Sequence, residues 1–183
     1  MKKGKLFVIS GASGVGKSTV LKEVMAVRKD LKFSVSATTR KPRAGEQEGV
    51  SYYFVSLETF KEMIQNEEFV EYDGHMDNFY GTPKKQLEEK LAQGDVILDI
   101  DPNGAFNVRK TRPDATLIFI APPSLEELER RLRSRGDTNE EQIALRLDRV
   151  QWEMEQSKQY DYIVFNDQVK TCAEEILRII AQE

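Results

Sequence analysis

The sequence predicts an α/β fold in which a central parallel sheet is covered on both faces by helices. Three observations indicate this class. Strand-sized apolar runs alternate with helical patterns along most of the 183-residue chain. The first apolar run leads directly into a glycine-rich loop and then into a helical pattern. Hydrophobic residues make up 39% of the chain, which is enough for a sizeable core.

The clearest strands lie at residues 5–10, 96–100, 116–120 and 162–166, and a helical pattern follows each of them. We expect these four runs to form the central sheet. Two regions interrupt the alternation. Residues 34–83 are rich in short strand signals and turns, whereas residues 124–160 are almost wholly helical, with a stop at Gly136. We interpret both regions as insertions over the edge of the sheet.

We expect a single domain over residues 1–183, because no repeat, low-complexity tract or linker separates a second one. Its core would consist of residues 1–33, 84–123 and 161–183. The helical region with its bend resembles a hinged lid.

Charge and composition limit the partners and the location. The formal net charge is only −4 although 32% of residues are charged, so we expect no nucleic-acid partner. The longest apolar runs are far shorter than the roughly 20 residues that span a bilayer, so we expect no membrane span. The apolar stretch near the amino terminus runs into the glycine loop, which argues against a cleaved leader. The single cysteine, Cys172, favours a reducing, cytoplasmic setting.

The glycine-rich loop GASGVGKST satisfies the phosphate-loop pattern G-x-x-x-x-G-K-[ST], between a predicted strand and a predicted helix. Its amide groups and the helix amino terminus would bind phosphate oxygens, which predicts a P-loop NTPase fold that binds ATP. Lys17 would reach the β- and γ-phosphates, and the Ser18 hydroxyl would take one coordination site of Mg²⁺, with phosphates and water as the other ligands. The predicted ATP-binding residues of the loop are Gly11, Ala12, Ser13, Gly14, Val15, Gly16, Lys17, Ser18 and Thr19.

Two further groups of residues suit phosphate chemistry. The run VILDID places Asp99 and Asp101 on one face of a strand near its carboxyl end, where open α/β sheets bind ligands. Either carboxylate could hold Mg²⁺ through water or bind substrate. In the turn-rich insertion, the guanidinium groups of Arg40 and Arg43 suit a phosphate monoester. The hydroxyl groups of Tyr52 and Tyr80 are candidate further donors to the same phosphate.

The chain resembles the guanylate kinases in SVSATTRKPRAGE, FVEY, YGTP, VILDID, RLRSRG and IVFND, a likeness that covers residues 3–180. The resemblance implies transfer of the γ-phosphate of ATP to GMP with Mg²⁺, a GMP-binding region at residues 34–83 and a lid with its following helix at residues 124–160. It also implies that Arg40, Arg43, Tyr52 and Tyr80 hold the GMP phosphate, that Ser36, Glu71 and Thr82 read guanine, that Glu46 braces the arginines, and that Asp101 contacts GMP while Asp99 lies nearer the metal.

Guanine chemistry agrees with this assignment. Guanine presents N1–H and an exocyclic amine side by side, and the carboxylate of Glu71 could accept both hydrogen bonds. Adenine has an acceptor at N1, so pairing it with a buried carboxylate would leave both groups unsatisfied. Polar recognition of this kind discriminates by as much as about 10⁴.

The lid region contains Arg131 and Arg135 four residues apart on one helix, and Arg146 on the next. The resemblance implies that these cations lie over the ATP phosphates and adenine, with Asn166 near the base. The predicted catalytic residues are Lys17, Arg40, Arg131, Arg146 and Asp99. No side chain needs to act as a nucleophile, because the GMP phosphate is itself an anion that can attack the γ-phosphorus.

The sequence departs from the family pattern at Ser51, at residues 77–79 and at residues 102–103. None of these departures removes a predicted contact, although GMP affinity could change. Two alternatives remain at this point: a non-catalytic module with a guanylate-kinase-like fold that binds peptides, and a P-loop kinase that acts on another small phosphorylated acceptor. An acceptor screen with ATP and Mg²⁺ separates all three.

Overall fold

The computed structural model describes residues 3–75, 77–134 and 140–183. Along these residues the elements are β1 (Leu6–Gly11), α1 (Lys17–Val27), β2 (Lys32–Phe33), β3 (Ala37–Thr38), β4 (Tyr53–Phe54), α2 (Leu57–Gln65), β5 (Phe69–His75), β6 (Asn78–Pro83), α3 (Lys84–Leu91), β7 (Val96–Asp99), α4 (Pro102–Thr111), β8 (Thr116–Ala121), α5 (Leu125–Ser134), α6 (Glu140–Gln156), a 3₁₀ turn (Ser157–Gln159), β9 (Tyr162–Phe165) and α7 (Val169–Gln182).

The strands form two sheets. Five of them lie in the order β2-β7-β1-β8-β9, and the pairs β2–β7 and β8–β9 are parallel. The central strands are apolar and buried along nearly their whole length, as expected when helices cover both faces of a parallel sheet. This sheet confirms the predicted α/β class. The four strands predicted for it are confirmed to within one residue at each end, and a helix follows each of them.

The chain divides into two units, which share β1. One unit contains Met1–Val8 and Asp30–Ala115, and the other contains Ile9–Lys29 and Thr116–Glu183. The first unit carries the smaller sheet, and the second carries the glycine-rich loop with helices α5, α6 and α7.

The smaller sheet has the strand order β4-β3-β6-β5, and β6 is antiparallel to both of its neighbours. Its core contains Phe60 of α2, whose ring stacks on Phe69 at a centroid distance of 4.5 Å. Helix α2 begins after Ser56, whose hydroxyl accepts a hydrogen bond from the main-chain N–H of Thr59. The sequence interpretation missed this helix, because it expected only short strands and turns in the region.

The hairpin of β5 and β6 sets the register of several predicted site residues. Glu71 lies opposite Thr82, and Asp73 lies opposite Tyr80. Asp77 precedes β6 with a φ of 61°, a left-handed conformation that aspartate adopts more readily than most side chains. The left-handed residue before β6 is therefore an aspartate, in one of the segments that depart from the family pattern.

The helical region is confirmed in its described part, where α5 ends at Ser134 and α6 begins at Glu140. The predicted stop at Gly136 lies outside the described residues. Among the described residues, no helix is both long enough and apolar enough to cross a bilayer.

Candidate active site

The glycine-rich loop connects β1 to α1, as its sequence predicts. Gly14 and Gly16 have φ values of 82° and 92°, in the left-handed region that favours glycine. At Gly16 a side chain would also be crowded, because a Cβ there would lie 3.1 Å from Nδ2 of Asn166. Lys17 begins α1 and Ser18 is exposed in its first turn. Lys17 and Ser18 therefore stand at the amino terminus of a helix, the end that favours anions.

Hydrogen bonds within the loop determine which amides remain for a ligand. The N–H of Ala12 donates to the carbonyl of Ile120 at 3.1 Å, and the N–H of Val15 donates to the carbonyl of Ala12 at 3.0 Å. Among the described residues, the N–H groups of Gly14, Gly16 and Ser18 have no protein acceptor. These amides therefore remain available as hydrogen-bond donors to an anion.

Two buried side chains contact the loop. Nδ2 of Asn166 donates to the carbonyl of Val15 at 2.7 Å, and Oε2 of Glu153 accepts from the N–H of Ser13 at 2.7 Å. Asn166 was predicted near the adenine base, but its side-chain amide is directed at the loop and is 3% exposed. Glu153 was missed in the sequence. The feature that could have revealed it is a charged residue three positions after the apolar Val150, which places both side chains on the same buried face of α6.

The predicted lid arginines differ in their surroundings. Arg131 is half-buried and donates to Glu127 through Nε at 2.7 Å and to the carbonyl of Asn166 through Nη1 at 3.1 Å. Arg146 is exposed on α6. Arg135 lies outside the described residues. The structure thus places Arg131 at the carboxyl end of β9, in the unit that carries the glycine-rich loop.

The two insertion arginines share one carboxylate. Oε1 and Oε2 of Glu46 accept hydrogen bonds from Nη2 and Nη1 of Arg40 at 2.8 and 3.0 Å, and Oε2 also accepts from the main-chain N–H of Arg43 at 2.7 Å. These bonds lower the pKa of Glu46 and raise the pKa of Arg40, with the Arg40–Glu46 hydrogen bond as the largest cause in both. The orientation of the Arg40 guanidinium is therefore set before any ligand binds.

Aromatic residues surround this guanidinium. Cζ of Arg40 lies 5.4 Å from the ring centroid of Tyr52, and the Tyr52 ring packs edge-on against Tyr80 at 6.0 Å. Burial raises the pKa of Tyr52, and the charge of Asp99 raises it further. The structure thus brings together four predicted acceptor-site residues and the predicted catalytic Asp99.

Two of the three predicted guanine-reading residues, Glu71 and Thr82, are in contact. Thr82 Oγ1 donates to Oε1 of Glu71 at 2.6 Å, and Ser36 is buried on the segment leading into β3. Glu71 is only 6% exposed, and burial raises its pKa to about 7. The negative charges of Asp101 and Asp73 add to this shift. Burial therefore favours the neutral form of this carboxyl group more than it would for an exposed glutamate.

The prediction that Asp99 and Asp101 share one strand is wrong for Asp101. Strand β7 ends at Asp99, and Asp101 caps α4 by accepting from the N–H of Gly104 at 2.9 Å. Pro102 occupies the first position of this helix, where the N–H that proline lacks would have no partner within the helix. Gly104 was missed in the sequence: a Cβ there would lie 3.0 Å from Oε2 of Glu71, so its lack of a side chain leaves room for the carboxylate.

The predicted magnesium contact is the hydroxyl of Ser18. No cluster of three His, Cys, Asp or Glu side chains that could hold a metal is found among residues 3–75, 77–134 and 140–183. The exposed residue Ser18 fits an ion that takes its remaining ligands from phosphates and water.

Cys172 is buried, which raises its pKa to about 12 and makes it a poor nucleophile.

Comparison with known proteins gives a consistent result. The family model described as "Guanylate kinase" matches residues 3–183. The chain is 49% identical over 184 residues to a guanylate kinase of Clostridioides difficile, covering all of this chain and 90% of that protein. It is 44% identical to one of Prochlorococcus marinus, with 96% of each chain covered. The crystal structure of guanylate kinase from Anaplasma phagocytophilum superposes with a TM-score of 0.80 at 33% identity, covering all of this chain and 87% of that one.

Proposed function

This chain belongs to the guanylate kinase family, and we propose how its own residues carry out the family's reaction, the transfer of the γ-phosphate of ATP to GMP to give ADP and GDP. The observation that carries the proposal is Glu71. It is a buried carboxylate with a fixed hydroxyl partner, and it matches the paired donors of guanine.

The donor nucleotide would bind at the glycine-rich loop. The available N–H groups of Gly14, Gly16 and Ser18 suit the β-phosphate, and Lys17 follows them at the start of α1. When bound, Mg²⁺ would neutralise negative charge on the phosphates of ATP, and Ser18 is the residue that would contribute a ligand to it. The residues that shape the loop around these donors are Gly11, Ala12, Ser13, Val15 and Thr19.

The acceptor would bind in the other unit. Arg40, Arg43, Tyr52 and Tyr80 would hold the phosphate of GMP, and Glu46 orients the Arg40 guanidinium for it. Because the orientation exists before binding, less entropy is lost when the phosphate arrives. Ser36 would donate to guanine O6, and Asp101 would contact GMP near Glu71.

Transfer needs no covalent intermediate with the protein. The phosphate oxygen of GMP is the nucleophile, and the role of the protein is to align it with the γ-phosphorus and to stabilise the spreading negative charge. Lys17 would supply positive charge at the donor, together with Arg131, Arg135 and Arg146 from the lid. Asp99 would lie near the transferring phosphate. Closure of the lid over the donor would exclude water and so limit hydrolysis of ATP.

Two alternatives are tested by one assay. A peptide-binding module would form no nucleoside diphosphate, and a kinase with another acceptor would leave GMP unused. The purified protein is supplied with ATP, Mg²⁺ and one of GMP, AMP, CMP or UMP. We expect GDP from GMP and little product from the other three. Product from AMP at a comparable rate would contradict the proposed role of Glu71.

A further inference from the structure

A charged side chain lies in the interior next to the phosphate loop. Glu153 on α6 is 3% exposed, and both of its carboxylate oxygens are hydrogen-bonded. Oε2 accepts from the N–H of Ser13 at 2.7 Å, and Oε1 accepts from Nε of Arg149 at 3.0 Å. Burying a carboxylate is costly unless such bonds satisfy it. The contact with Ser13 therefore accounts for a charge at a position where an apolar residue would pack more simply.

A second buried side chain contacts the same loop from the end of β9. The side chain of Asn166 donates to the carbonyl of Val15 at 2.7 Å, and its main-chain N–H donates to the carbonyl of Ala121 at 2.8 Å. Its Oδ1 is buried and has no hydrogen-bond donor among the described residues. The bond to Val15 is thus the polar contact that favours an amide at this position.

The two contacts fix the loop on either side of Gly14. Glu153 holds the N–H of Ser13, which precedes this glycine, and Asn166 holds the carbonyl of Val15, which follows it. Gly14 has a φ of 82° and no side chain to restrain it. Without external contacts such a segment samples many conformations. With both contacts in place, the N–H groups of Gly14 and Gly16 are held in one arrangement.

We propose that Glu153 and Asn166 are positioning residues that clamp the phosphate loop in its phosphate-binding shape without touching the nucleotide. The inference rests on the proposed function, because it takes the loop to be the ATP site. Preorganised donors bind an anion more tightly than mobile ones. Loss of either contact should therefore weaken ATP binding and slow transfer. The acceptor residues lie in the other unit, so GMP binding should remain.

The test uses Glu153→Leu and Asn166→Leu in the full-length chain. Two matched controls are Glu155→Gln, an exposed carboxylate on the same helix, and Gln168→Glu, an exposed residue two positions after Asn166. The measurements are the dissociation constants of ATP and GMP by calorimetry, kcat and KM for GDP formation, and the melting temperature. We expect both leucine variants to weaken ATP binding by about tenfold, the effect of leaving one buried loop group unsatisfied. We expect the GMP dissociation constant of both leucine variants to stay within about twofold of wild type. In the two control variants, the dissociation constants of ATP and GMP should both equal those of wild type.

Conservative variants separate positioning from packing. Glu153→Gln keeps an oxygen that can accept from Ser13, so ATP binding should recover most of the loss seen with leucine. Asn166→Asp keeps the shape but places an acceptor against the Val15 carbonyl. Its defect should shrink as the pH falls, because a protonated carboxyl group can donate to that carbonyl. The pH effect is read as the ratio of variant to wild-type affinity for ATP.

Three results would overturn the inference. The first is ATP affinity equal to wild type in both leucine variants. The second is equal weakening of ATP and GMP binding, which would mark a general loss of structure. The third is no recovery with Glu153→Gln. Failure of the proposed function is a separate result, namely a wild-type protein that forms no GDP. In that case the ATP dissociation constants still decide whether the two side chains position the loop.

Discussion

The hydroxyl of Thr82 donates to the carboxylate of Glu71 across the β5–β6 hairpin at 2.6 Å. A hydroxyl has one proton, so while it donates to Glu71 it cannot also donate to guanine. Thr82 therefore positions the carboxylate of Glu71. Ser36 remains the candidate donor to guanine O6. The resemblance alone implied that both Ser36 and Thr82 read guanine.

Replacement of Glu71 by glutamine should weaken GMP selectively. The side-chain amide introduced by Glu71→Gln has one oxygen, which can accept from one of the two guanine donors, while its NH₂ group would oppose the other. We expect KM for GMP to rise by about 10- to 100-fold, with KM for ATP unchanged. The control is Glu68→Gln, an exposed carboxylate before β5. An unchanged KM for GMP would show that the guanine reader lies elsewhere.

GMP affinity should depend on pH through Glu71. Its pKa is raised to about 7 because the carboxyl group is buried, so the neutral form dominates at lower pH. Guanine needs the charged form as an acceptor. Affinity should therefore fall by up to about tenfold for each pH unit below 7.

The phosphate of GMP also titrates, near pH 6. The informative quantity is thus the ratio of wild-type affinity to that of Glu71→Gln, measured by calorimetry from about pH 5.5 to about pH 8.5, a range that brackets both titrations. A ratio that does not change with pH would contradict the assignment.

Lys17→Ala should greatly slow turnover and leave GMP binding unchanged. The change deletes a positive charge at the donor phosphates, which should lower kcat by about 10²- to 10³-fold. The GMP dissociation constant should stay within about twofold of wild type, because the acceptor residues lie in the other unit. Lys22→Ala, an exposed lysine on the same helix, is the matched control. Normal turnover in Lys17→Ala would exclude Lys17 from the chemistry.

Glu46→Gln should weaken the proposed contact between Arg40 and the GMP phosphate. Glutamine has no negative charge for the bidentate ion pair with Arg40, and it has only one side-chain oxygen that can accept a hydrogen bond from the guanidinium. We expect KM for GMP to rise by about three- to tenfold, a modest effect because the pair is partly exposed. Glu62→Gln, on the exposed face of α2, should leave KM unchanged. An equal KM in both variants would mean that Arg40 is oriented by other contacts.

Gly104→Ala should reduce GMP affinity without destabilising the protein. The added Cβ would lie 3.0 Å from Oε2 of Glu71 and would displace the carboxylate. Alanine in a helix is normally favoured over glycine by about 0.5–1 kcal/mol, so the melting temperature should not fall. We expect KM for GMP to rise by about three- to tenfold, against no change in Asn107→Ala on the same helix. A normal KM would show that Glu71 adapts to the added methyl group.

The central strands and the glycine-rich loop were predictable because their signals are local. Apolar runs and a glycine pattern specify a strand, a loop and a helix from neighbouring residues alone. Helix α2 was missed because the strand and turn signals around it are equally local and obscured its apolar spacing. Asp101 was placed one element too early, since the helix start after it, at Pro102, was not recognised.

By itself the sequence determined the α/β class and the phosphate-loop pattern, and its likeness to guanylate kinases predicted the residues of both nucleotide sites. Tertiary structure alone decided how those residues are held. Glu71 meets Thr82 only through strand register, and Gly104 faces that carboxylate only because α4 packs against β5. Glu153 and Asn166 lie about 140 and 150 positions from the loop groups they bind. Contacts at such separations arise from packing and leave no spacing pattern in the chain.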